Sequence, residues 1–320
     1  MGTRRLVLRR IAGSLFWAAR YLERAQWRAR LVDVNYHLLL EVPPRDADPW
    51  EPLVKITGEH DAFFALHSRA DEASVIDFFT FDRRNPSSIR SCLESVRANL
   101  SPLRYLVSSE LWVAVNRLYL EVRDWSPASL GLCGVSPFFN DLKDRFFAIT
   151  GIVSNTLPRD LVYDLVEIGT MLERIDNVSR LLDVKYHYLM PRLEDVGGPA
   201  DIRQWAAVLR SASALEAFRN TYGNSIRVNR VVEFLVFDPA FPRSMRACIE
   251  TLAAALTRIA SESGNDPVAG PNPADHLLSI LRKGCARDTI ATGLHEFLVM
   301  TQRECANVAD QIFNMYMSYE

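Results

Sequence analysis

The sequence predicts an all-α protein, a helical bundle made of one unit written twice. Three observations predict it. Apolar residues recur at spacings of three and four along most of the chain, the period of a helix with one buried face. No run of alternating β-branched residues marks a sheet. Residues 20–37, RYLERAQWRARLVDVNYH, recur as residues 170–187, TMLERIDNVSRLLDVKYH, with 9 of 18 positions identical at an offset of 150. A second pair follows at an offset of 156: residues 78–94 and 234–250 agree at 8 of 17 positions. Average residue usage gives roughly one chance identity per window. The period far exceeds the roughly 20–50 residues of solenoid repeats. The expectation is a single domain over 1–320 with halves of about 1–157 and 158–320, related by a pseudo-twofold axis.

The elements follow in order. Leu15, Ala18, Leu22, Ala25, Ala29, Val32 and Tyr36 form an apolar stripe over residues 11–40, and Pro43–Pro44 end that helix in a loop. Residues 86–123 read as one long helix or two in series, with Asn85 as N-cap, Pro86 in the first turn and a break at Pro102. Residues 125–137 read as a loop, then helices span 138–157 and 159–190 on either side of Pro158. A connection at 191–200 matches the Pro43–Pro44 loop. Helices follow at 201–219, 222–237, from Arg243, 275–283 and 287–318, with a Gly- and Pro-rich connection at 261–275.

Composition narrows the function. The net charge of −2 gives no pull toward nucleic acid or anionic lipid. No stretch is long and apolar enough to span a bilayer, and the N-terminus lacks a signal-peptide core. The five cysteines form no CxxC pair, so neither a disulfide framework nor a zinc knuckle is indicated. A reduced, cytoplasmic compartment is the expectation. Cys92 and Cys248, matched in the second repeat, read as small buried helix residues. Only Lys55, Lys143, Lys185 and Lys283 are lysines, against 33 arginines.

The repeated helix carries a polar stripe. Glu23, Arg30, Asp33, Val34 and His37 share one face, and Glu173, Arg180, Asp183, Val184 and His187 repeat it. Arg30 can reach Asp33, and Asp33 can reach His37, at i,i+3 and i,i+4 spacing. Three readings stay open: an ion-pair network that sets register, a ligand site whose arginines bind a carboxylate or phosphate, and a metal site. The Glu-x-x-His spacing of di-iron bundles is absent, so no metal ligands are assigned. A second polar group, Arg97 and Arg104 with Ser108, Trp112 and Asn116, lies on the 86–123 segment. No phosphate loop, nucleophile elbow or HExxH helix is present.

Four ordered motifs carry a family resemblance. GSLFWAARYLERAQWRARLVDV, SVRANLSPLRYLVSSELWVAVN, LVEIGTMLERIDNVSRLLDVKY and EFLVFDPAFPRSMRACI resemble the motifs of the alpha-E domain proteins over the whole chain. The resemblance implies an all-helical fold and a partnership with a circularly permuted ATP-grasp enzyme, with a transglutaminase-like protein nearby. It implies work on peptide or amide bonds. The protein would need no cofactor of its own, ATP and magnesium belonging to the ligase. The Leu-Glu-Arg motifs fall on Glu23–Arg24 and Glu173–Arg174. Gln26, Ala98, Thr170 and Ile175 depart from the family pattern, and the first three of these remove charges.

On this basis Glu23 and Glu173 are the candidates for acid–base work. Arg24, Arg30, Asp33, His37, Arg174, Arg180, Asp183, His187, Arg97 and Arg104 are the candidates for substrate binding. The expected role is an accessory of an ATP-grasp amide ligase that holds an amino-acid or peptide carboxylate. The alternatives are an enzyme using the paired glutamates on an amide or acyl phosphate, or a non-catalytic scaffold. Burial beside a like charge is expected to move one glutamate pKa toward neutrality.

Overall fold

A computed structural model describes residues 2–41, 48–187, 197–262 and 271–316, with side chains at all of these but 2–9, 187 and 262. The expected loops at Pro43–Pro44 and 191–196, and most of the 261–275 connection, lie outside the described residues.

All regular structure among the described residues is helical. The helices are α1 (Gly2–Glu41), α2 (Glu51–Thr57), α3 (His60–Phe64), α4 (Glu72–Thr80), α5 (Ile89–Leu100), α6 (Ser109–Asp124), α7 (Pro127–Cys133) and α8 (Val135–Thr156). They continue with α9 (Leu161–His187), α10 (Pro199–Ser211), α11 (Leu215–Tyr222), α12 (Val228–Val232), α13 (Met245–Glu262), α14 (Asp275–Lys283), α15 (Ala286–Thr292) and α16 (Leu294–Tyr316). A single turn of π-helix, Glu233–Phe237, follows α12.

The two repeated helices, α1 and α9, form the centre. They pack against each other, with α5 and α8 against α1, and α13 and α16 against α9. The shorter helices cross over: α2 lies chiefly on α9, and α10 on α1. Every residue of α1 from Ala25 to Val34 is buried, so this stretch is wrapped on all sides. Its buried polar residues therefore face neighbouring helices rather than water. The close approach of α1 and α9 depends on Gly169. A Cβ there would stand 2.5 Å from the Phe16 carbonyl oxygen and 3.1 Å from the Ala19 Cβ.

The second repeated segment makes two turns of the same design. Asp82 Oδ1 accepts from the Arg84 amide at 2.8 Å, and Asp238 Oδ1 accepts from the Ala240 amide at 2.7 Å. Ser88 Oγ then caps α5 by accepting from the Ser91 amide at 3.1 Å, and Ser244 Oγ accepts from the Ala247 amide at 3.0 Å at the start of α13. Each turn thereby places the residue before its serine, Ser87 or Arg243, at the mouth of a helix that packs on the central pair. Burial pushes the Cys92 thiol up to about 12 and the Cys248 thiol up to about 11, despite nearby arginines. Both are packing residues.

Five expectations need correction. The helix expected over 222–237 starts only at Val228, after a non-helical stretch at 223–227, and ends in the π turn. α5 begins at Ile89 with Ser88 as its cap, not at Pro86 after Asn85. Asn85 is buried, donating to the Phe78 carbonyl at 3.1 Å and accepting from the Ser87 amide at 2.9 Å, so the turn takes its polar groups. The 125–137 loop contains α7, and α8 starts three residues early, at Val135. The 201–219 helix is broken at Ser213, whose φ of 53° is left-handed, dividing α10 from α11. Pro102 breaks the 86–123 segment as expected, through the short 3-10 turn Ser101–Leu103.

Candidate functional site: crossed glutamate–arginine pairs and a polar pocket

One helical turn beyond the Gly169 contact, the two Glu-Arg dipeptides exchange partners between α1 and α9. Glu173 of α9 accepts from Arg24 Nε at 2.6 Å, from Arg24 Nη2 at 2.9 Å and from Arg20 Nε at 2.8 Å. Glu23 of α1 accepts from Arg243 Nη1 at 2.8 Å. Arg174 Nε lies 3.1 Å from Glu23 Oε2, close enough for charge attraction but off the line of a hydrogen bond. Each buried carboxylate thus has two guanidinium groups against it, one from the opposite dipeptide and one from a second source. For Glu173 that source is Arg20 of α1; for Glu23 it is Arg243 of the turn before α13.

Electrostatics corrects the expected acid–base role. Burial alone would raise both carboxyl pKa values. At Glu23 the charges of Arg174 and Arg243 outweigh it and hold the carboxyl down to about 2. At Glu173, Arg24 and Arg20 outweigh burial and hold it below the usual range. Both groups stay ionised near neutrality, so neither is poised to trade protons there. A depressed folded-state pKa stabilises the fold above the unfolded value, and that stabilisation is lost as pH falls through the folded value. Between the ordinary value of 4.5 and about 2, Glu23 alone is expected to remove about 3 kcal/mol of stability. Urea titrations at stepped pH measure this. Glu23→Gln should flatten the profile in that window; an unchanged slope would contradict the assignment.

The rest of the predicted stripe is divided differently from its sequence pattern. Arg30 does not reach Asp33. Asp33 pairs instead with Lys143 of α8 at 2.5 Å, while the expected contact with His37 is present: His37 Nδ1 donates to the Asp33 carbonyl at 2.9 Å and lies 3.5 Å from Asp33 Oδ1. Asp183 pairs with His295 of α16 at 2.5 Å. These aspartates hold α8 and α16 to the central helices and do not converge on the glutamates. The side chain of His187 lies outside the described residues. Arg97 and Arg104 sit apart, beside α6: Arg97 Nε donates to Asn116 Oδ1 at 2.8 Å, and both guanidinium groups lie over the Trp112 ring. Among the described residues no group of three or more His, Cys, Asp and Glu side chains is placed to hold a metal ion.

Beside Glu173 is a polar pocket of about 190 Å³, lined chiefly by Arg24, Arg28, Arg180, Glu59, Asp176 and Asn177. Trp27, Thr57, Gly58 and Ser87 complete its wall. Arg28 forks onto Glu59 at 2.7 and 2.8 Å. Arg180 Nε donates to Asp176 Oδ2 at 2.8 Å. Arg180 Nη1 stands 3.0 Å from where a Cβ on Gly58 would be, and Gly58 has a φ of 73°, so both space and backbone require glycine there. Asn177 Nδ2 is buried and has no partner among the described residues. The donors and acceptors are evenly matched, three guanidinium groups against three carboxylates.

The sequence stripe contains Arg180 but not Arg20, Arg28, Glu59, Asp176 or Arg243. Arg243 lies inside the second repeat at a non-identical position, opposite Ser87. A reading built on identities passes over it.

An all-helical bundle whose two central helices lock through crossed Glu-Arg dipeptides defines the class. The chain contains only two such dipeptides, Glu23–Arg24 and Glu173–Arg174. It belongs to the Alpha-E family, described as a predicted alpha-helical domain with a conserved ER motif, whose model matches residues 7–317. It is 25% identical over 276 residues to uncharacterized protein Rv2567 of Mycobacterium tuberculosis, and equally to uncharacterized protein Mb2597 of Mycobacterium bovis. The match covers 80% of this chain but only 30% of each relative's length. No solved structure matches. No described helix is long and apolar enough to cross a membrane.

Proposed function

We propose that the protein is a helical accessory of an ATP-grasp amide ligase, and that the pocket beside Glu173 holds the carboxylate end of an amino acid or short peptide. The observation that carries this reading is the pocket itself. The terminal nitrogens of Arg180 and the unpartnered amide of Asn177 suit a carboxylate, while Asp176 and Glu59 suit an ammonium group. The volume of about 190 Å³ suits a small zwitterion. The pocket lies between α1, α9 and the α2–α3 turn, so its walls come from both copies of the repeated unit. We read those copies as an ancestral duplication about a pseudo-twofold that exchanges α1 with α9.

The ligase partnership rests on the family resemblance. It is supported by the relatives, in which the matched segment is under a third of a longer chain, an arrangement suited to a module working beside others. ATP and magnesium would sit on the ligase, and a transglutaminase-like protein would act nearby. An acid–base enzyme is the weaker reading, because both glutamates are held ionised.

Isothermal titration with glycine, glutamate and a dipeptide tests the pocket. Arg180→Met is expected to weaken binding at least about tenfold, the loss of one charge-assisted contact, while leaving the Glu173 pairs intact. Binding unchanged in that variant would overturn the pocket assignment. Failure to co-purify with an ATP-grasp protein would overturn the partnership alone.

A further inference from the structure

The pocket beside Glu173 has a counterpart beside Glu23 in which the charges do not balance. At the repeat offsets, Arg24, Arg180, Glu173 and Asp176 correspond to Arg174, Arg30, Glu23 and Gln26, and Ser87 corresponds to Arg243. Arg180 has the carboxylate of Asp176 four residues before it on the same helix, 2.8 Å away. Arg30 has the neutral Gln26 in that place. The counterpart also gains Arg243 where the first copy has a serine. Three guanidinium groups, Arg30, Arg174 and Arg243, therefore surround the single carboxylate of Glu23.

Arg30 is the group left over. It is 3% exposed, and neither Nη1 nor Nη2 has a protein partner among the described residues. Its guanidinium lies over the Phe147 ring of α8 at 5.7 Å, an attraction too small to offset a buried charge. Burial, then the repulsion of Arg243, push its pKa down to about 9, against the pull of Glu23. One more buried donor, Gln26 Nε2, also has no hydrogen-bond acceptor among the described residues. Gln26 and Arg30 share a helix face at i,i+4. Three buried donors beside an excess of positive charge specify an acceptor that carries negative charge. The Arg243 and Arg174 side chains beside it keep 14% and 11% of their surface exposed.

We propose that Gln26, Arg30, Arg174 and Arg243 form a buried oxyanion site, in which two oxygens of one carboxylate or phosphate group accept from Arg30 Nη1 and Nη2. The paired ends of a guanidinium fork match two oxygens of one group, which a halide cannot supply. The site is separate from the pocket beside Glu173 and does not rest on the ligase reading. Gln26, standing where the second copy has Asp176, is what leaves Arg30 without an internal carboxylate.

The test uses the full chain and two probes, acetate and inorganic phosphate, each replacing chloride at constant ionic strength. The wild type is expected to show a saturable rise in melting temperature of about 3 °C or more with at least one probe. The acetate and phosphate arms separate the two sources. Gln26→Glu supplies an internal carboxylate to Arg30, and is expected to melt higher in chloride and to lose the saturable response. General salt effects act on both proteins alike, so the difference isolates the site. Arg30→Met removes the unpaired charge and should also lose the response without melting lower in chloride. Equal responses in wild type and both variants, a wild type indifferent to both probes, or equal protection by chloride would overturn the proposal.

Discussion

Glu23→Ala is expected to lower the free energy of unfolding by about 3–5 kcal/mol, the loss typical of removing one partner from a buried ion pair. The reason is the company it leaves behind. Arg174 and Arg243 would keep their charges without their common carboxylate, and Arg30 would lose its nearest opposite charge. Glu173→Ala also strands two arginines, Arg20 and Arg24, with Asp176 still within electrostatic range of Arg24 as Glu167 is of Arg174, but it leaves no third guanidinium group like Arg30 without opposite charge. Glu23→Ala should therefore be the costlier of the two. Urea denaturation followed by helical circular dichroism gives both values. A loss below about 1 kcal/mol at Glu23, the level of a surface pair, or the reverse order, would show that the pairs are not the lock between α1 and α9.

Gly169→Leu is expected to destabilise by about 3 kcal/mol, the upper end of overpacking effects. Helix propensity predicts the opposite sign, since leucine is better than glycine in a helix interior by somewhat less than the roughly 0.8–1.0 kcal/mol that separates alanine from glycine. Packing wins because the obstacle is backbone. The added Cβ would stand 2.5 Å from the Phe16 carbonyl oxygen, which cannot rotate away as a side chain would. α1 and α9 would have to separate, and the contacts of 2.6–3.1 Å at Glu173 and Glu23 would lengthen with them. Melting curves of wild type and Gly169→Leu decide the sign. A variant as stable as the wild type would mean that the helices do not approach as closely as Gly169 implies.

The helical class was legible because apolar spacing and proline placement report local structure directly. The long α1 and α9, the break at Pro102 and the buried Cys92 and Cys248 all follow from them. The break at Ser213 was not legible, because serine is not a residue that announces a left-handed backbone. Nor was α7, a seven-residue helix inside a Gly-, Pro- and Ser-rich stretch. Among site residues, Glu23, Arg24, Glu173 and Arg174 stood out as repeated identities. Their partners did not, since a contact across helices leaves no fixed spacing in sequence. Arg20 and Arg243 do equivalent work from unrelated positions, so comparing the repeats for sameness hides both.

What the sequence determined alone is the inventory: two long helices, each carrying one Glu-Arg dipeptide and one Arg-x-x-Asp, in matching phase. Which charge meets which was decided only by the tertiary structure. Asp33 turned to Lys143 and Asp183 to His295, although Arg30 shares a face with Asp33; only His37 kept the contact its spacing allowed, 3.5 Å from Asp33 Oδ1. Burial is the physical reason. Inside the bundle, position relative to α8, α13 and α16 sets which ion pair is shortest and driest, and spacing along one helix does not contain that information.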